Sequence, residues 1–338
     1  MAEIEKGFID YLKKVSPGMP LRTVINDLQR AGLGALIVFD SKELKEQNIL
    51  EGGFRVNCLF TPQKLFELCK MDGAIVVSPD LKRIIYANVL LAPDNTINSN
   101  ETGTRHKAAE RTAKQTNTFV IALSERRKKT TLYYGKTKYV LKHLDELMRD
   151  VSSNLQLLEK QREIFSNQLS RLNLLEVSGY VSVSDVCKVI QRAEIILKIS
   201  DSIKRKFTEL GKEGNVMNMR YKELLKDIEK TEENILRDYS TTRLKRSKTL
   251  LANMTFDGLL DLKAVSMLVL EKDLEETAIP KGYRFLSYLN LTEKEISNLV
   301  KSFGNLNHLL SGNSNLKENL KKGIENLKEQ VISQKLSY

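Results

Sequence analysis

Hydrophobic residues in the first third of the chain follow two different spacings. Helical spacing covers residues 4–15, 21–31 and 62–71, whose apolar side chains would lie on one face of a helix. Short apolar runs, typical of buried strands, lie among these stretches. They are ALIVF at 35–39, AIVVS at 74–78, RIIYANVLL at 83–91, FVIAL at 119–123 and LYY at 132–134. The mixture predicts an α/β domain with a central mixed sheet flanked by helices.

The pattern changes at residue 138, after which almost no strand signal is found. Helical spacing covers residues 138–175, 184–210, 216–239 and 256–274, and it predicts an all-α bundle whose leucine stripes form the core. Pro280 and Gly282 break the pattern, and short helices interrupted by glycines follow. We therefore predict three parts: an α/β domain at 1–137, a helical linker domain at 138–279 and a small all-α tail at 280–338.

Composition and charge narrow the class of protein. The chain has 54 Lys and Arg against 43 Asp and Glu, a net charge of +11, which is compatible with anionic partners. Cys58, Cys69 and Cys187 are too few and too widely spaced for a disulfide framework or a zinc site. No targeting segment and no run of about 18 apolar residues is found, so we expect a soluble cytoplasmic protein without a membrane partner.

The segment ETGTRHKAAERTA at 101–113 places three cations where a helix is predicted to begin: Arg105, His106 and Lys107. A helix N-terminus carries partial positive charge, so cations are unfavourable there unless they face an anion. Thr102 or Thr104 could cap the helix, Gly103 would allow close approach of a ligand, and the free N–H groups of the first turn would bind an anion. The segment indicates a pocket for a polyanion such as a triphosphate; the alternative is a solvated basic turn.

Two further motifs carry groups that chemistry could use. Asp72 and Gly73 come directly before the AIVVS run, where a carboxylate could hold a divalent metal ion or accept a proton from a hydroxyl; an Asp-Gly pair is also a common turn. Ser124 follows the FVIAL run, where its hydroxyl could donate to a phosphate or hydrogen-bond the adjoining turn. The RRKK run at 126–129 is interpreted as a solvated basic loop.

Taken together, these segments resemble the DisA family of DNA integrity scanning proteins, which carry a diadenylate cyclase domain. The resemblance rests on ELCKMDGAIVVS at 67–78, RIIYANVLLAPD at 83–94, ETGTRHKAAERTAKQT at 101–116 and FVIALSERRKKTTLYYG at 119–135. It continues through 210–216, 235–240, 259–269 and 280–310, so it covers nearly the whole chain. Its most specific part is the DGA motif followed by GTRH.

The resemblance implies an enzyme that condenses two ATP molecules into cyclic di-AMP and releases two pyrophosphates with the help of Mg²⁺ or Mn²⁺. Two cyclase domains would face each other within a homo-octamer, and each ribose 3′-hydroxyl would attack the α-phosphorus of the opposite nucleotide. It also implies regulation by DNA. A monomer could not complete this reaction.

The resemblance also implies roles for particular residues. The ATP-binding residues would be Gly73, Leu91, Thr104, Arg105, His106, Lys107 and Ser124. Asp72, Arg105 and His106 would be catalytic, and Asp72 and His106 would contact the metal ion. Asp72 would orient or deprotonate the 3′-hydroxyl. The family has Arg where this chain has Lys107; Lys keeps the charge but gives up the bidentate geometry of a guanidinium.

The tail departs further from the family, which ends in tandem helix-hairpin-helix elements that contact DNA phosphates. The first element is recognisable at 289–310, but the sequence after Gly312 lacks the Gly-hydrophobic-Gly hairpin. Positive charge remains in two clusters: Lys317, Lys321, Lys322 and Lys328 in the tail, and Arg243, Lys245, Arg246 and Lys248 in the linker. We interpret both clusters either as weak, salt-sensitive DNA contacts or as solvated helix faces. The tail is predicted to be a degenerate helix-hairpin-helix domain.

Three functions are compatible with these observations. The first is an active diadenylate cyclase, with or without a response to DNA. The second is a DNA-binding scaffold with a decayed cyclase, which predicts a broken DGA or GTRH motif and an intact hairpin, the reverse of what the sequence contains. The third is a sensor that binds ATP without cyclising it, for which only Lys107 speaks. The motifs favour the first.

Overall fold

The computed structural model describes residues 2–311 and 318–333, and for residues 2–6 and 205 it describes only the backbone. The chain divides into two compact units. One contains Met1–Asp150 and Arg205–Val216, and the other contains Val151–Lys204 and Met217–Tyr338. The boundaries of the three predicted domains stay a prediction.

The first unit is built on an eight-stranded sheet. Its strands are β1 (Ala35–Phe39), β2 (Leu50–Glu51), β3 (Phe54–Leu59), β4 (Ala74–Val77), β5 (Arg83–Leu91), β6 (Phe119–Leu123), β7 (Thr130–Tyr134) and β8 (Thr137–Leu141). They lie in the order β2-β5-β4-β1-β6-β7-β8, and β3 also pairs with β5. β1 and β4 are parallel and the other pairs are antiparallel. The predicted mixed sheet is confirmed.

Helices cover both faces of this sheet: α1 (Ala2–Lys14), α2 (Pro20–Ala31), α3 (Lys42–Glu46), α4 (Pro62–Leu68) and α5 (Thr104–Thr116). Side chains of α1, α2 and α4 share one core cluster with Ile37 and Phe39 of β1. Ala109 and Ala113 of α5 share a second cluster with Leu36 and Val38 of the same strand. Because both of its faces are covered, β1 is buried at every position, which explains its unbroken apolar run.

Three strands and one helix of this unit were not predicted, namely β2, β3, β8 and α3. The helix predicted from residue 138 was wrong at its start, because Thr137–Leu141 pairs with β7 as a strand and the helix begins at Leu144. β8 alternates between inward Thr137, Tyr139 and Leu141 and exposed residues, a period of two that a helical reading overlooks. Tyr139 donates a 2.5 Å hydrogen bond to Glu209, within the same unit.

The second unit is helical, as predicted. Its helices are α6 (Leu144–Ser178), α7 (Val183–Leu210), α8 (Asn215–Leu225), α9 (Ile228–Tyr239), α10 (Leu244–Asn253), α11 (Phe256–Leu260) and α12 (Leu262–Val269), with parts of α6, α7 and α8 lying in the first unit. The leucine stripe of α6 is buried, including Leu158, Phe165 and Leu172. The stretch predicted as one helix at 216–239 is two helices, because Asp227 adopts a φ of +63° between them.

The tail is also all-α. Its described helices are α13 (Tyr283–Leu286), α14 (Glu293–Phe303), α15 (Leu306–Ser311) and α16 (Glu318–Ile332), which share one apolar core. The helix-hairpin-helix assignment stays a prediction, and Gly312 and Lys317 lie outside the described residues. Among the residues that the structure does describe, none of the helices has the length and apolar character that a membrane span requires.

A buried polar cluster holds the start of the tail against α6 and α9. The guanidinium of Arg284, 1% exposed, donates a 2.5 Å hydrogen bond to Glu176 and a second bond to Asn173. Asp238 accepts the backbone N–H groups of Gly282 at 2.7 Å and of Arg284 at 2.9 Å. Burial and the charge of Glu176 raise the pKa of Asp238 to about 7. The Pro-Lys-Gly break predicted from the sequence is therefore the beginning of a helix capped by a distant aspartate.

Two carboxyl groups meet inside the helical unit. Glu232 of α9 is 1% exposed and Glu194 of α7 is 6% exposed. Burial raises the pKa of Glu232 well above its usual range, and both the charge of Glu194 and a hydrogen bond with it raise that pKa further. Burial also raises the pKa of Glu194. We infer that the pair holds a proton, because two buried like charges cannot both ionise without a large penalty.

The contribution of this pair to the free energy of unfolding should therefore fall as the pH rises. A folded pKa above the unfolded value, about 4.3 for Glu, contributes stability that is present at low pH and is lost as the pH rises through the folded pKa, by ~1.4 kcal/mol for each unit of difference. Glu232→Gln keeps a hydrogen-bond donor and removes the titration. We expect its melting temperature to exceed that of the wild type at pH 9 and the difference to shrink towards pH 5 in calorimetry. Glu223→Gln, at an exposed position of α8, is the control; an equal pH dependence in wild type and Glu232→Gln would contradict the shared proton.

Candidate active site

The segments predicted to carry the chemistry meet at one edge of the sheet. Strand register places Ala35 opposite Leu123 and Ala74 opposite Val89, so β1 and β4 begin where β5 and β6 end. The DGA motif leads into β4, Leu91 is the last residue of β5, and Ser124 follows β6 directly. The α5 helix packs on the same sheet and starts at this edge. Residues far apart in the sequence are thereby brought together.

A cavity of about 530 Å³ opens at this edge, and we call it the mixed cavity. Its lining combines apolar, glycine and charged residues: Leu36, Gly73, Val89, Leu90, Leu91, Gly103, Thr104, Arg105, His106, Ala108, Ser124, Glu125 and Arg126. Six of the predicted site residues therefore line one cavity. Asp72 and Lys107 are not among its lining residues; Asp72 is exposed beside Gly73, and Lys107 is half-buried.

A second cavity of about 450 Å³, which we call the cationic cavity, adjoins the first. Its lining is Glu101, Thr102, Gly103, His106, Ser124, Arg126, Arg127, Lys129, Thr131, Lys138 and Val140. Four residues line both cavities: Gly103, His106, Ser124 and Arg126. The two spaces therefore share a rim formed by the helix start and the residues after β6.

The start of α5 has no side-chain cap. Gly103 is the N-cap residue, with φ −87° and ψ 139°, and within the part of the chain that the structure describes no side-chain cap bond to the first-turn N–H groups is formed. The prediction that Thr102 or Thr104 caps the helix was wrong. Because Lys107 N–H already bonds Gly103 O at 2.8 Å, the N–H groups before it are the ones left for a ligand. An uncapped helix start that lines a cavity has N–H groups that can bind an anion.

Arg105 lies against the backbone that leads into β1. A Cβ added at Gly34 would overlap Nη1 of the guanidinium, so the two groups are in contact only because residue 34 is glycine. Within the described chain, the half-buried Arg105 side chain makes no hydrogen bond or ion pair. Its donors are therefore available to an anion, which it can bind in bidentate fashion.

Glu101 was not predicted as a site residue, although it is the first residue of the segment ETGTRHKAAERTA. Its carboxylate accepts a 2.8 Å hydrogen bond from Tyr133 and pairs with Lys138 at 2.5 Å. Burial raises the pKa of Glu101, but the hydrogen bonds from Lys138 and Tyr133 outweigh burial, so the pKa lies below its usual value. Glu101 is charged and ties the loop before α5 to β7 and β8.

The ring of His106 is neutral near pH 7, because its pKa is lowered. Burial lowers its pKa; the charge of Glu101 opposes this change, and the charges of Arg105 and Lys138 add to it. Its ring lies edge-on to that of Tyr133, with 6.4 Å between ring centres. A neutral imidazole can donate one hydrogen bond to a phosphate or present a lone pair to a metal ion.

Gly73 lines the mixed cavity, and Ser124 lines both cavities. Gly73 has a φ of +84°, and a Cβ there would lie 2.9 Å from the carbonyl oxygen of Val89, so no other residue fits. Ser124 Oγ accepts the N–H of Arg127 at 3.2 Å, which confirms its predicted turn-forming alternative. The hydroxyl proton of Ser124 is still free to donate to a ligand, so the turn role and the phosphate role are compatible.

The residues of one chain supply few metal ligands. Among the described residues, no group of three or more His, Cys, Asp or Glu side chains could hold a metal ion. Mg²⁺, however, is usually held by one or two carboxylates together with substrate phosphates. An ion that arrives with a phosphate ligand would need only one or two protein ligands, so the predicted contacts of Asp72 and His106 with a metal ion stay a prediction.

The fold and the cavities together define a class: an α/β domain with a cationic cavity at a helix N-terminus, suited to ligands that carry phosphate. Comparisons with known proteins agree. Residues 22–138 match the family model described as DisA bacterial checkpoint controller nucleotide-binding, and residues 141–273 match the model of the DisA bacterial checkpoint controller linker region. The chain belongs to the DisA family, as the resemblance predicted.

Curated relatives extend this similarity over most of the chain. A DNA integrity scanning protein DisA from Fusobacterium nucleatum is 36% identical over 312 residues, covering 90% of this chain and 89% of that protein. The protein of the same name from Carboxydothermus hydrogenoformans is 38% identical and covers 95% of this chain and 96% of its own length. That of Bacillus subtilis is 36% identical, with 97% and 96% covered.

The contact between Gly34 and Arg105 generates a prediction. Gly34→Ala should displace the guanidinium and weaken binding of inorganic triphosphate by about tenfold, since a bidentate charge-assisted bond contributes ~1.5 kcal/mol. Titration calorimetry measures this affinity. In the Arg105→Ala background the same change should have little further effect, because both substitutions remove one interaction.

The matched control is Gly32→Asn, in the same loop. Gly32 has a φ of +68° with open space around its Cβ position, and Asn tolerates that conformation. The Gly32→Asn variant should bind triphosphate like the wild type. Additive losses from Gly34→Ala and Arg105→Ala would show that Gly34 acts by another route.

Proposed function

We propose that the chain is a diadenylate cyclase that condenses two ATP molecules into cyclic di-AMP and two pyrophosphates. The observation that carries the proposal is the convergence of the DGA and GTRH motifs. Gly73 of the first motif and Thr104, Arg105 and His106 of the second line one cavity, although about 30 residues separate them in the sequence. Membership of the DisA family supports the same activity.

The mixed cavity suits the nucleoside part of ATP. Leu36, Val89 and Leu91 give it an apolar wall, and Gly73 leaves room for the ligand to approach the backbone. The α-phosphate would then lie at the shared rim, near the free N–H groups of α5, with Arg105 and the Ser124 hydroxyl as further donors. Donors held in place before the reaction stabilise the charge that develops on the phosphorus oxygens.

The position of Asp72 supports a reaction between two copies. Its carboxylate is exposed and does not line the cavity that Gly73 lines. In the proposed reaction, two cyclase domains face each other and Asp72 orients or deprotonates a ribose 3′-hydroxyl at their contact. The 3′-oxygen forms a bond to the opposite α-phosphorus, the bond between that phosphorus and the bridging oxygen breaks, and pyrophosphate leaves with the electron pair. The same exchange in the other direction closes the ring.

A divalent ion and an oligomer belong to the proposal. Asp72 and His106 would hold Mg²⁺ or Mn²⁺ together with phosphate oxygens, and the ion would supply positive charge that neutralises the leaving group. A homo-octamer would bring cyclase domains face to face. The protein groups themselves bind and orient the two nucleotides, which is the greater part of catalysis in this type of transfer.

Two alternative functions are an ATP sensor and a DNA-binding protein. An ATP sensor without turnover rested on Lys107, but that side chain does not line either cavity, so the exchange of Arg for Lys there is expected to matter little. DNA binding is supported by the exposed residues Arg243, Lys245 and Arg246, whereas Lys248 is already paired with Glu229 and Glu233. We propose that any DNA contact is weak and salt-dependent.

The deciding experiment is incubation with ATP and Mg²⁺ or Mn²⁺, followed by chromatography for cyclic di-AMP. We expect product from the wild type and at least ~100-fold less from Asp72→Asn, since loss of a positioned general base lowers rates by about 10²–10⁴. Asp72→Asn should keep its affinity for ATP when no divalent ion is present, because Asp72 lies off the cavity lining.

Asp80→Asn, another exposed aspartate in the turn between β4 and β5, is the control and should stay active. Branched DNA added at low and at physiological salt tests whether DNA alters the rate. A folded, oligomeric wild type that binds ATP and forms no cyclic di-AMP would exclude the cyclase and leave the sensor.

A further inference from the structure

A polar cavity of about 570 Å³ lies in the second unit, where the end of α9 meets the start of α10 and of α14. We call it the α9 cavity. Its lining contains two cations, Arg237 and Lys281, several hydroxyl groups and one carboxylate, that of Glu293. None of its lining residues belongs to the candidate active site or to the two basic clusters predicted from the sequence.

The guanidinium of Arg237 is the richest hydrogen-bond donor in the α9 cavity. Its Nη1 lies 3.6 Å from Oε1 of Glu293, a distance that allows an ion pair but is too long for a hydrogen bond. Over residues 2–311 and 318–333 the side chain of Arg237 makes no hydrogen bond, so its N–H groups are available. The side chain of Glu293 is 84% exposed, and so solvated an ion pair contributes little to stability. An anion from solution can therefore replace Glu293 at small cost.

The ammonium group of Lys281 is fixed at the same cavity. It donates to the backbone carbonyl oxygens of Arg237 and Ser240, each at 3.2 Å, at the C-terminal end of α9. Two of its three N–H groups are used in this way, and the third remains for a ligand. Stabilising the end of α9 accounts for the bonds of Lys281. It leaves the donors of Arg237 unused, although Arg237 lies in the last turn of the same helix.

Hydroxyl groups supply the remaining donors. Those of Tyr283 and Ser297 line the cavity and take part in no hydrogen bond among the residues that the structure describes. The Ser240 hydroxyl is buried and forms hydrogen bonds with Ser247 Oγ at 2.9 Å and with the carbonyl oxygen of Val269 at 3.1 Å, which holds the chain between α9 and α10 in place. A guanidinium, an ammonium and hydroxyl groups around one space suit an ionised phosphate group, whose oxygens accept hydrogen bonds from several sides.

We propose that the α9 cavity is an anion site that binds a phosphate group through Arg237, Lys281 and the hydroxyl groups of Tyr283 and Ser297. In the free protein Glu293 pairs with the guanidinium that the phosphate would bind, so this carboxylate competes with the ligand. The site does not depend on the proposed cyclase activity, because it shares no residue with the candidate active site.

The phosphate group can belong to a free anion or to a nucleic-acid strand. Arg243, Lys245 and Arg246 are exposed at the start of α10, next in sequence to the lining residues Thr242 and Leu244. A strand with one phosphate in the cavity would have neighbouring phosphates for these cations, whereas a free anion would use the cavity alone.

The test follows the reactivity of the Lys281 amine, which reports on this cavity separately from the candidate active site. Acetylation rates of individual lysines are measured by mass spectrometry on the full-length protein. Inorganic phosphate or a short DNA duplex is titrated in, with the ionic strength held at about 0.15 M by chloride. Inorganic phosphate should slow the acetylation of Lys281 about fivefold at saturation, since a bound anion uses the remaining N–H donor. Lys230, exposed on α9 outside the cavity lining, should react at an unchanged rate.

Two single variants should change the affinity in opposite directions. Glu293→Gln removes the competing carboxylate and should lower the phosphate concentration that half protects Lys281 by about threefold. Arg237→Gln removes the main donor and should raise that concentration about tenfold. Asp257→Asn removes another exposed carboxylate from the first turn of a helix, and Lys230→Gln removes another exposed cation from α9. Both controls should behave like the wild type.

The outcomes separate the proposal from its alternatives. Equal slowing at Lys281 and Lys230 by inorganic phosphate would show diffuse ion binding, and unchanged acetylation of Lys281 with both ligands would show that the cavity holds no phosphate. Glu293→Gln or Arg237→Gln that matches its control would show that these residues do not form the site. Each of these results overturns the proposal. A gain of affinity in Glu293→Gln cannot come from a damaged fold, so it supports the site directly.

The same data identify the source of the phosphate. Protection of Lys281 by inorganic phosphate, with no protection by the duplex, supports a site for a free anion. Protection by the duplex that extends to Lys245 supports a site for one phosphate of a nucleic-acid strand.

Discussion

A helix that begins with cations depends on an anion to offset them, and much of the first unit is arranged around this constraint. The N-terminus of α5 has partial positive charge and no side-chain cap, and Arg105 and His106 add their own groups to it. Glu101 offsets part of this charge, but it is shared with Lys138. Burial lowers the pKa of His106, and the charges of Arg105 and Lys138 lower it further, so its ring does not add another positive charge near pH 7. A phosphate-bearing ligand would relieve the repulsion that the protein leaves uncompensated.

The scaffold keeps this unfavourable arrangement in place by packing. Ala109 and Ala113 lie in the core against the sheet, so small side chains let α5 approach β6 closely. The helix cannot shift to separate its cations without exposing that face. The loop before it is tied down by Ser99, which donates a 2.6 Å bond to Glu110 of the same helix. Apolar burial along α5 therefore stabilises what electrostatics at its N-terminus opposes.

The sequence was informative where one physical rule dominated. Buried strands such as β1 and β6 are unbroken apolar runs because both faces are covered, so they could be predicted. β8 was mistaken for helix, because its alternation of inward and exposed side chains spans only five residues and includes polar ones. The prediction of a threonine cap was wrong because residue type alone favours Thr102 or Thr104, whereas the helix begins so that Gly103 is the N-cap residue. The strand register explains why the separate motifs line one cavity, and spacing along a single sequence does not show that register. The contact of Gly34 with Arg105 has no signal in a single sequence either.

Three arginines of this chain differ in burial and in hydrogen-bond partners, so their charges differ in how far they are available to a ligand. Arg284 is buried and donates hydrogen bonds to Glu176 and Asn173, so its charge is paired within the fold. Arg105 is half-buried beside a cavity and has no such partner within the described chain. Arg127 is exposed, so water screens its attraction for an anion. The half-buried cation at the helix start and the exposed cation after β6 therefore differ in how strongly they can hold an anion.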